Sequence, residues 1–293
     1  MDVMARLTLR AYAKVNLTLE VLDVRADGYH EIASIMQTID VSDTVTLEDG
    51  DGITMECNRP ELNSPDNLAL RAARLLQAHS GYEGGSLITL EKNIPISSGL
   101  GGGSSDAAAT LIGLNELWGL GISNEELSGL GAELGSDVTF FLKGGTAIAI
   151  GRGEQVRGLP PAGLRWFLLL SPQFRAQNKT RAAYALLDSS SFTRGLLTRK
   201  LEARINRGGN VPTQSLFNVF DGVAREAFPG LDEYWRTLEA LGGQKAHVAG
   251  SGPSLFAPVS RREVGMAMQS VLKNRYGWDA RLVSCVQPDA RVG

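Results

Sequence analysis

Between residues 7 and 22 apolar and polar positions alternate loosely, the period-two pattern of one or two β-strands. Strand-like runs follow at 35–39 and 43–48, and Gly50 and Gly52 predict a hairpin turn after them. Residues 63–67, NSPDN, open a predicted helix through Leu68, Leu70, Ala73, Leu75 and Leu76, with Ser64 or Asp66 as its cap. A strand is expected at 87–90. Ser123 and Glu126 stand in capping-box spacing ahead of a short helix that ends near Leu134. Residues 143–153 are β-rich, prolines cluster near 158–161, and 165–170 reads as a buried strand. The chain is therefore expected to divide there, into residues 1–158 and 159–293. Residues 191–209 are polar and basic, and their end resembles a mobile loop more than a core element. Residues 218–221 open a helix that takes in Phe228, 264–272 reads as an amphipathic helix and 280–286 as a last strand.

The pattern breaks at residues 95–111, PISSGLGGGSSDAAATL. Its first half is too glycine-rich for a helix or a strand, and after Ser104 and Ser105 it turns into a helix start. A loop without Cβ atoms lets backbone N–H groups approach a ligand closely. A helix start adds unpaired N–H groups and a partial positive charge, so the combination suits a phosphate. A flexible linker is the bland alternative, but apolar elements lead in and out of the glycines. The P-loop pattern G-x-x-x-x-G-K-S/T fails because no lysine occurs between Lys92 and Lys143. The dinucleotide pattern G-x-G-x-x-G fails because its last position falls on Ser104, which disposes of a glycine-loop dehydrogenase.

Composition narrows the class. With 293 residues the chain can bury one large or two moderate cores. A net charge of −3 and a pI near 5.7 give no support for a nucleic-acid binder. Cys57 and Cys285 are in no metal or redox spacing, and His30, His79 and His247 are too few for a histidine metal site. No signal peptide or membrane span is read, so a cytoplasmic protein acting on a small molecule is expected, with no nucleic-acid or membrane partner.

Four further places carry chemistry. In AYAKVNL at 11–17 a lysine interrupts an apolar strand; on its own Lys14 is either a buried functional group or an edge lysine facing solvent. In RADGYHE at 25–31 the Asp27-Gly28 turn presents Tyr29 and His30. Asp137 in LGSDVTFF either caps the next helix or acts as a general base. A second glycine patch, VAGSGPSLF at 248–256, lies between apolar strands and could equally be a plain hairpin.

The motif P-x-x-x-G-L-G-G-G-S-S-D-A-A resembles the phosphate-binding motif of the GHMP small-molecule kinases. AYAKVNL and the second glycine patch resemble that family's first and third motifs, so the likeness spans nearly the whole chain. The R-x-D-G-Y-H segment is similar to the branch that acts on 4-diphosphocytidyl-2-C-methyl-D-erythritol and not to the wider family. The resemblance implies a two-domain α+β fold, an ATP-binding domain against a ferredoxin-like one, with the site in the cleft between them. It implies an ATP-dependent kinase of the non-mevalonate isoprenoid pathway that phosphorylates the 2-hydroxyl of that cytidine-diphosphate-bearing alcohol, with Mg²⁺ arriving on the nucleotide. Another kinase of the superfamily, or a catalytically silent nucleotide-binding relative, are the rivals. Tyr29-His30 speaks against the first, and the presence of both Lys14 and Asp137 against the second.

Residue by residue, the resemblance makes Lys14 and Asp137 catalytic. It puts Asn67, Lys92, Pro95, Gly99, Leu100, Gly101, Gly102, Gly103, Ser104 and Ser105 at ATP. Asn16, Tyr29, His30, Thr180 and Tyr184, with Asp137, fall to the substrate, and Gly250, Ser251 and Gly252 close over the phosphates. The stretch 174–179 departs from the branch's usual sequence. Metal ligands stay unassigned, and monomer and homodimer are both open.

Overall fold

The computed structural model describes residues 5–174, 179–242 and 244–287. In chain order the first half gives β1 (Arg6–Val24), β2 (His30–Gly50), β3 (Ile53–Cys57), α1 (Leu68–Ser80), β4 (Gly85–Glu91), α2 (Gly102–Leu117), α3 (Asn124–Leu134), α4 (Ser136–Lys143), β5 (Thr146–Gly151) and β6 (Gln155–Leu159). The rest gives β7 (Trp166–Leu170), α5 (Lys179–Ala185), α6 (Leu196–Asn206), β8 (Phe217–Asn218), α7 (Ala224–Ala227), α8 (Leu231–Gly242), β9 (His247–Val248), β10 (Leu255–Val259), α9 (Arg262–Tyr276) and β11 (Ala280–Ser284).

Two sheets carry the molecule. The first has the order β3-β4-β2-β1-β8, with β5 pairing the first half of β2 where β4 pairs its end, and β6 beyond β5. The second has the order β11-β7-β10-β9. β7 shows how one strand serves two cores. Phe167 and Leu169 point into the core shared with Val15, Leu17, Ile35 and Ile39 of the first sheet. Leu168 and Leu170 point the other way, toward Leu231, Trp235 and Leu238 of α8 and Leu272 of α9. Successive strand residues face opposite sides, so a run of uninterrupted apolar residues is what a strand buried on both faces needs. α2 follows the same logic: residues 105–111 are all buried, and the helix lies against α1, β1, β2 and α4.

Several expectations are corrected by the fold. Gly50 and Gly52 do not form a hairpin, because β4 inserts between β2 and β3, antiparallel to one and parallel to the other. The glycines serve close approach instead: a Cβ on Gly85 would lie 2.3 Å from the backbone of Gly52. The cap of α1 is Asn67, whose Oδ1 accepts from the Ala69 N–H at 2.9 Å, and neither Ser64 nor Asp66. Residues 191–209 are more ordered than their polarity suggests. They contain α6, which buries Thr198, Leu201 and Ile205 on one face and leaves its charged residues outside. The helix expected from residue 218 is a 3-10 turn followed by the four-residue α7, with Phe228 just past its end. α8 completes the second core and was not anticipated.

Candidate active site

The glycine stretch folds differently from its composition. Gly101, at φ +77°, is the N-cap of α2, so Gly102 and Gly103 already belong to the first helical turn and the loop proper spans 95–101. Leu100 is buried and pins the loop, its carbonyl accepting from the Lys14 N–H at 3.0 Å. The Pro95 carbonyl accepts from the Ser98 hydroxyl at 2.6 Å. Ser104 is half-buried and Ser105 buried, and Gly103 is exposed at the helix start. Unpaired N–H groups therefore face outward where an anion is favoured.

The second glycine patch lies directly against the first. The Ser254 N–H donates to the Ser98 carbonyl at 3.1 Å. A Cβ on Gly99 would sit 1.9 Å from the Ala249 carbonyl oxygen, and one on Gly250 would sit 2.9 Å from the Gly99 oxygen. Both glycines have positive φ. The two backbones touch in a way that no other residue allows. Gly250, Ser251 and Gly252 are all buried, and Ser251 Oγ lies 3.2 Å from Thr180 Oγ1 at the start of α5.

Lys14 threads the slot between these loops. Its side chain passes 3.3 Å from where a Gly101 Cβ would be and 3.2 Å from a Gly250 Cβ. Only 3% exposed, it is not an edge lysine. Its Nζ donates to Asn16 Oδ1 at 3.0 Å and stands 3.4 Å from Asp137 Oδ2. Asn16 Oδ1 also accepts from the Gly250 N–H at 3.1 Å, and its Nδ2 donates to Ser34 Oγ at 2.8 Å. Gly135, not Asp137, is the N-cap of α4. Asp137 sits in that helix's first turn with its side chain about a third exposed. A buried ammonium and a solvent-reachable carboxylate thus converge beside the glycine loops.

A patch of aromatics lies on the same side. His30 and Tyr184 have ring centroids 4.7 Å apart, and Phe192 meets His30 edge-on at 6.2 Å. Burial lowers the His30 pKa below the ordinary imidazole value, so the ring is neutral at pH 7. Burial, with the charge of Asp137 adding to it, raises the Tyr184 phenol, which stays protonated. Tyr29 is exposed, with the Arg152 guanidinium 4.9 Å from its ring centre. Phe192 and Arg152 escaped the sequence reading because both lie far from any motif. Residues 175–178 of the departing stretch lie outside the described residues.

Two expected nucleotide residues have other employment. Asn67 uses its Oδ1 as the helix cap and donates its Nδ2 to the Leu62 carbonyl at 3.0 Å. Lys92 is buried beneath the glycine loop, where its Nζ pairs with Asp43 and with Asp106 Oδ2, the latter at 2.6 Å. Its ammonium is thus engaged by two carboxylates beneath the loop. Burial works against the Lys92 charge, but the two carboxylates outweigh it and raise its pKa. Burial pushes the Asp106 carboxyl up to about 7, with Lys92 opposing and Asp43 adding to the shift. Asp43 Oδ1 accepts from the Asn93 and Ile94 N–H groups at 2.5 and 2.8 Å, fixing the chain that leads into the loop.

Residues 67–145 match the model of the GHMP kinases N terminal domain. A 4-diphosphocytidyl-2-C-methyl-D-erythritol kinase of Dehalococcoides mccartyi is 42% identical over 96% of this chain and 99% of its own. The chain belongs to this kinase family. The enzyme of the same name from Moorella thermoacetica is 41% identical over 92% of this chain and 96% of its own. Among solved structures, a 4-(cytidine 5'-diphospho)-2C-methyl-D-erythritol kinase superposes with a TM-score of 0.80 at 31% identity, covering 95% of this chain and 99% of that one. A homoserine kinase from Cytophaga hutchinsonii shares the fold, with a TM-score of 0.74 at 19% identity over 97% of this chain and 96% of its own. The two-sheet α+β architecture is thus that of the GHMP kinases.

Proposed function

We propose that the protein transfers the γ-phosphoryl group of ATP to the 2-hydroxyl of 4-diphosphocytidyl-2-C-methyl-D-erythritol in the non-mevalonate isoprenoid pathway. The observation that carries the reading is the convergence of Lys14 and Asp137, 3.4 Å apart, at the junction of two touching glycine loops. Residues 1–158 would form the ATP-binding half and 159–293 the other, meeting at this junction.

In this reading the N–H groups of residues 99–104 and the start of α2 hold the phosphates. Asp137 accepts the hydrogen of the acceptor hydroxyl and orients its oxygen for attack. Lys14, steered by Asn16, sets a positive charge against the oxygens of the group in transfer. Phosphoryl transfer needs little covalent help from the protein, so placement and charge carry the rate. Oxygen donors suit Mg²⁺, and the Ser104 hydroxyl would offer one beside the nucleotide's own phosphates. Among the described residues no group of three or more His, Cys, Asp or Glu side chains gathers, which fits an ion held mainly through phosphate. Bound there, Mg²⁺ would neutralise charge on the β- and γ-phosphates.

His30, Tyr184 and Phe192, tilted and edge-on to one another, supply the aromatic wall and Tyr29 the open edge against which a cytosine ring would pack. Thr180, through Ser251, connects that side to the phosphate side. Among the described residues no helix is long and apolar enough to cross a membrane, and a cytoplasmic enzyme working on a small molecule is proposed. The test is ADP formation with ATP, Mg²⁺ and the cytidylyl alcohol, beside Asp137→Ala. The reading predicts turnover that the variant nearly abolishes; turnover undiminished in the variant contradicts the role of Asp137.

A further inference from the structure

The third glycine motif is held from behind by a residue that no motif marks. Asn218 is 2% exposed, at the end of the short strand that pairs with Leu19 of β1. Its amide nitrogen donates to the carbonyls of both Val248 and Gly250, each at 2.8 Å. Its Oδ1 accepts from the Phe220 N–H at 3.0 Å, capping the 3-10 turn over 219–222. Both donors of the amide are in use, so the side chain has one orientation.

The far side of Gly250 is tied equally. Its N–H donates to Asn16 Oδ1, the same atom that receives the Lys14 ammonium. A continuous line of buried hydrogen bonds thus runs from Asn218 through the peptide groups of Gly250 to Asn16 and Lys14, whose ammonium stands 3.4 Å from Asp137. The 3-10 turn grips the motif a second time. Asp221 Oδ1 accepts from the Val248 N–H at 3.0 Å while its Oδ2 lies 2.7 Å from His247 Nδ1. Val248 is therefore held by its carbonyl and by its N–H, and Gly250 by both of its backbone groups. Gly250, at φ +56° and without a Cβ, has little stiffness of its own.

We infer that Asn218 is a positioning residue for phosphoryl transfer, fixing Gly250 so that Asn16 aims the Lys14 ammonium. The inference rests on the roles given above to Lys14 and Asp137. A purely structural cap would need only the Oδ1 of Asn218; the two donors are what reach the third motif. Asn218→Asp keeps the shape and the cap acceptor and removes both donors. Asn218→Ser keeps a cap oxygen without a negative charge and falls short of Gly250.

The experiment measures kcat and KM for both variants and for Lys14→Met, with kcat expressed per ATP site counted by titration calorimetry. Counting sites separates lost positioning from lost folded protein. Both Asn218 variants are expected to lose about tenfold or more in kcat per site, with both KM values within about threefold of wild type, as expected for misplaced reacting groups. Lys14→Met is expected to be nearly inactive. If it is inactive while both Asn218 variants keep kcat per site within about twofold, or lose only sites or affinity, the inference falls alone. If Lys14→Met is fully active, both the inference and the role of Lys14 fall.

Discussion

Lys14 Nζ and Asp137 Oδ2 stand 3.4 Å apart, the lysine buried in β1 and the carboxylate reaching solvent from the first turn of α4. The contact is longer than a charge-assisted hydrogen bond of about 2.7–2.9 Å. Asp137 thereby keeps room to accept a hydrogen bond from an incoming hydroxyl, while Lys14 spends its shorter bond on Asn16.

Asp137→Asn should lower kcat by about a hundredfold or more and leave the KM for ATP nearly unchanged, because the carboxylate acts on the acceptor. Steady-state kinetics with both substrates varied checks this. A large change in the ATP KM with an unchanged kcat contradicts it.

Gly99→Ala should destabilise the protein strongly, by about 3 kcal/mol or more, since the new methyl meets a carbonyl oxygen at 1.9 Å with φ at +84°. Gly119→Ala is the control: φ is also positive, but nothing lies within 4 Å, and a loss of about 1 kcal/mol is expected. Urea unfolding of the two variants compares them directly.

Asp106→Asn should gain stability relative to wild type as pH rises from about 4 to 7. The Asp106 carboxyl is raised to about 7 by burial from an ordinary value of 3.8, so between these values the folded state binds a proton that the unfolded state has released. Its contribution therefore weakens stability as pH rises from about 4 to 7. The asparagine removes that dependence and leaves Lys92 paired with Asp43 alone. The Tm of the variant relative to wild type should be higher at pH 7.5 than at pH 5, and a relative Tm that rises toward pH 5 contradicts the buried charge balance.

His30→Ala should raise the acceptor KM by about tenfold and leave the ATP KM unchanged. Burial lowers the pKa of His30 below 6.5, so the ring is neutral at pH 7 and charges only in more acidic solution. The wild-type acceptor KM should accordingly hold steady from pH 8 to about 6.5 and rise below it. Steady-state kinetics across that range checks both statements, and an equal effect on ATP would remove His30 from the acceptor side.

Much of this was legible in the sequence where residue type and spacing carry one meaning. The glycines at 99–103 announced a loop against a helix start, and the uninterrupted apolar run at 166–170 a strand buried on both faces. The alternation over 7–22 marked β1 but hid its chemistry. A period-two pattern predicts polar side chains in water, yet Lys14, Asn16, Thr18 and Glu20 are all buried. They are buried because other polar groups meet them: Glu20 Oε2 accepts from the Thr198 N–H at 2.7 Å, and Thr18 Oγ1 meets the Thr198 hydroxyl at 2.9 Å. The same contacts explain why α6 was missed, since its buried face includes a threonine and half of its remaining residues are charged. Asn218 was invisible for a related reason. Its partners are backbone carbonyls, and no side-chain pattern records them.

The most direct test of the account is ATP turnover with 4-diphosphocytidyl-2-C-methyl-D-erythritol, run beside mevalonate and homoserine under the same conditions. Turnover confined to the cytidylyl alcohol is the predicted result, and it should fall about a hundredfold or more in Asp137→Ala. Preference for either of the small alcohols would leave the fold intact and contradict the assignment of His30, Tyr184 and Phe192 to a cytosine ring.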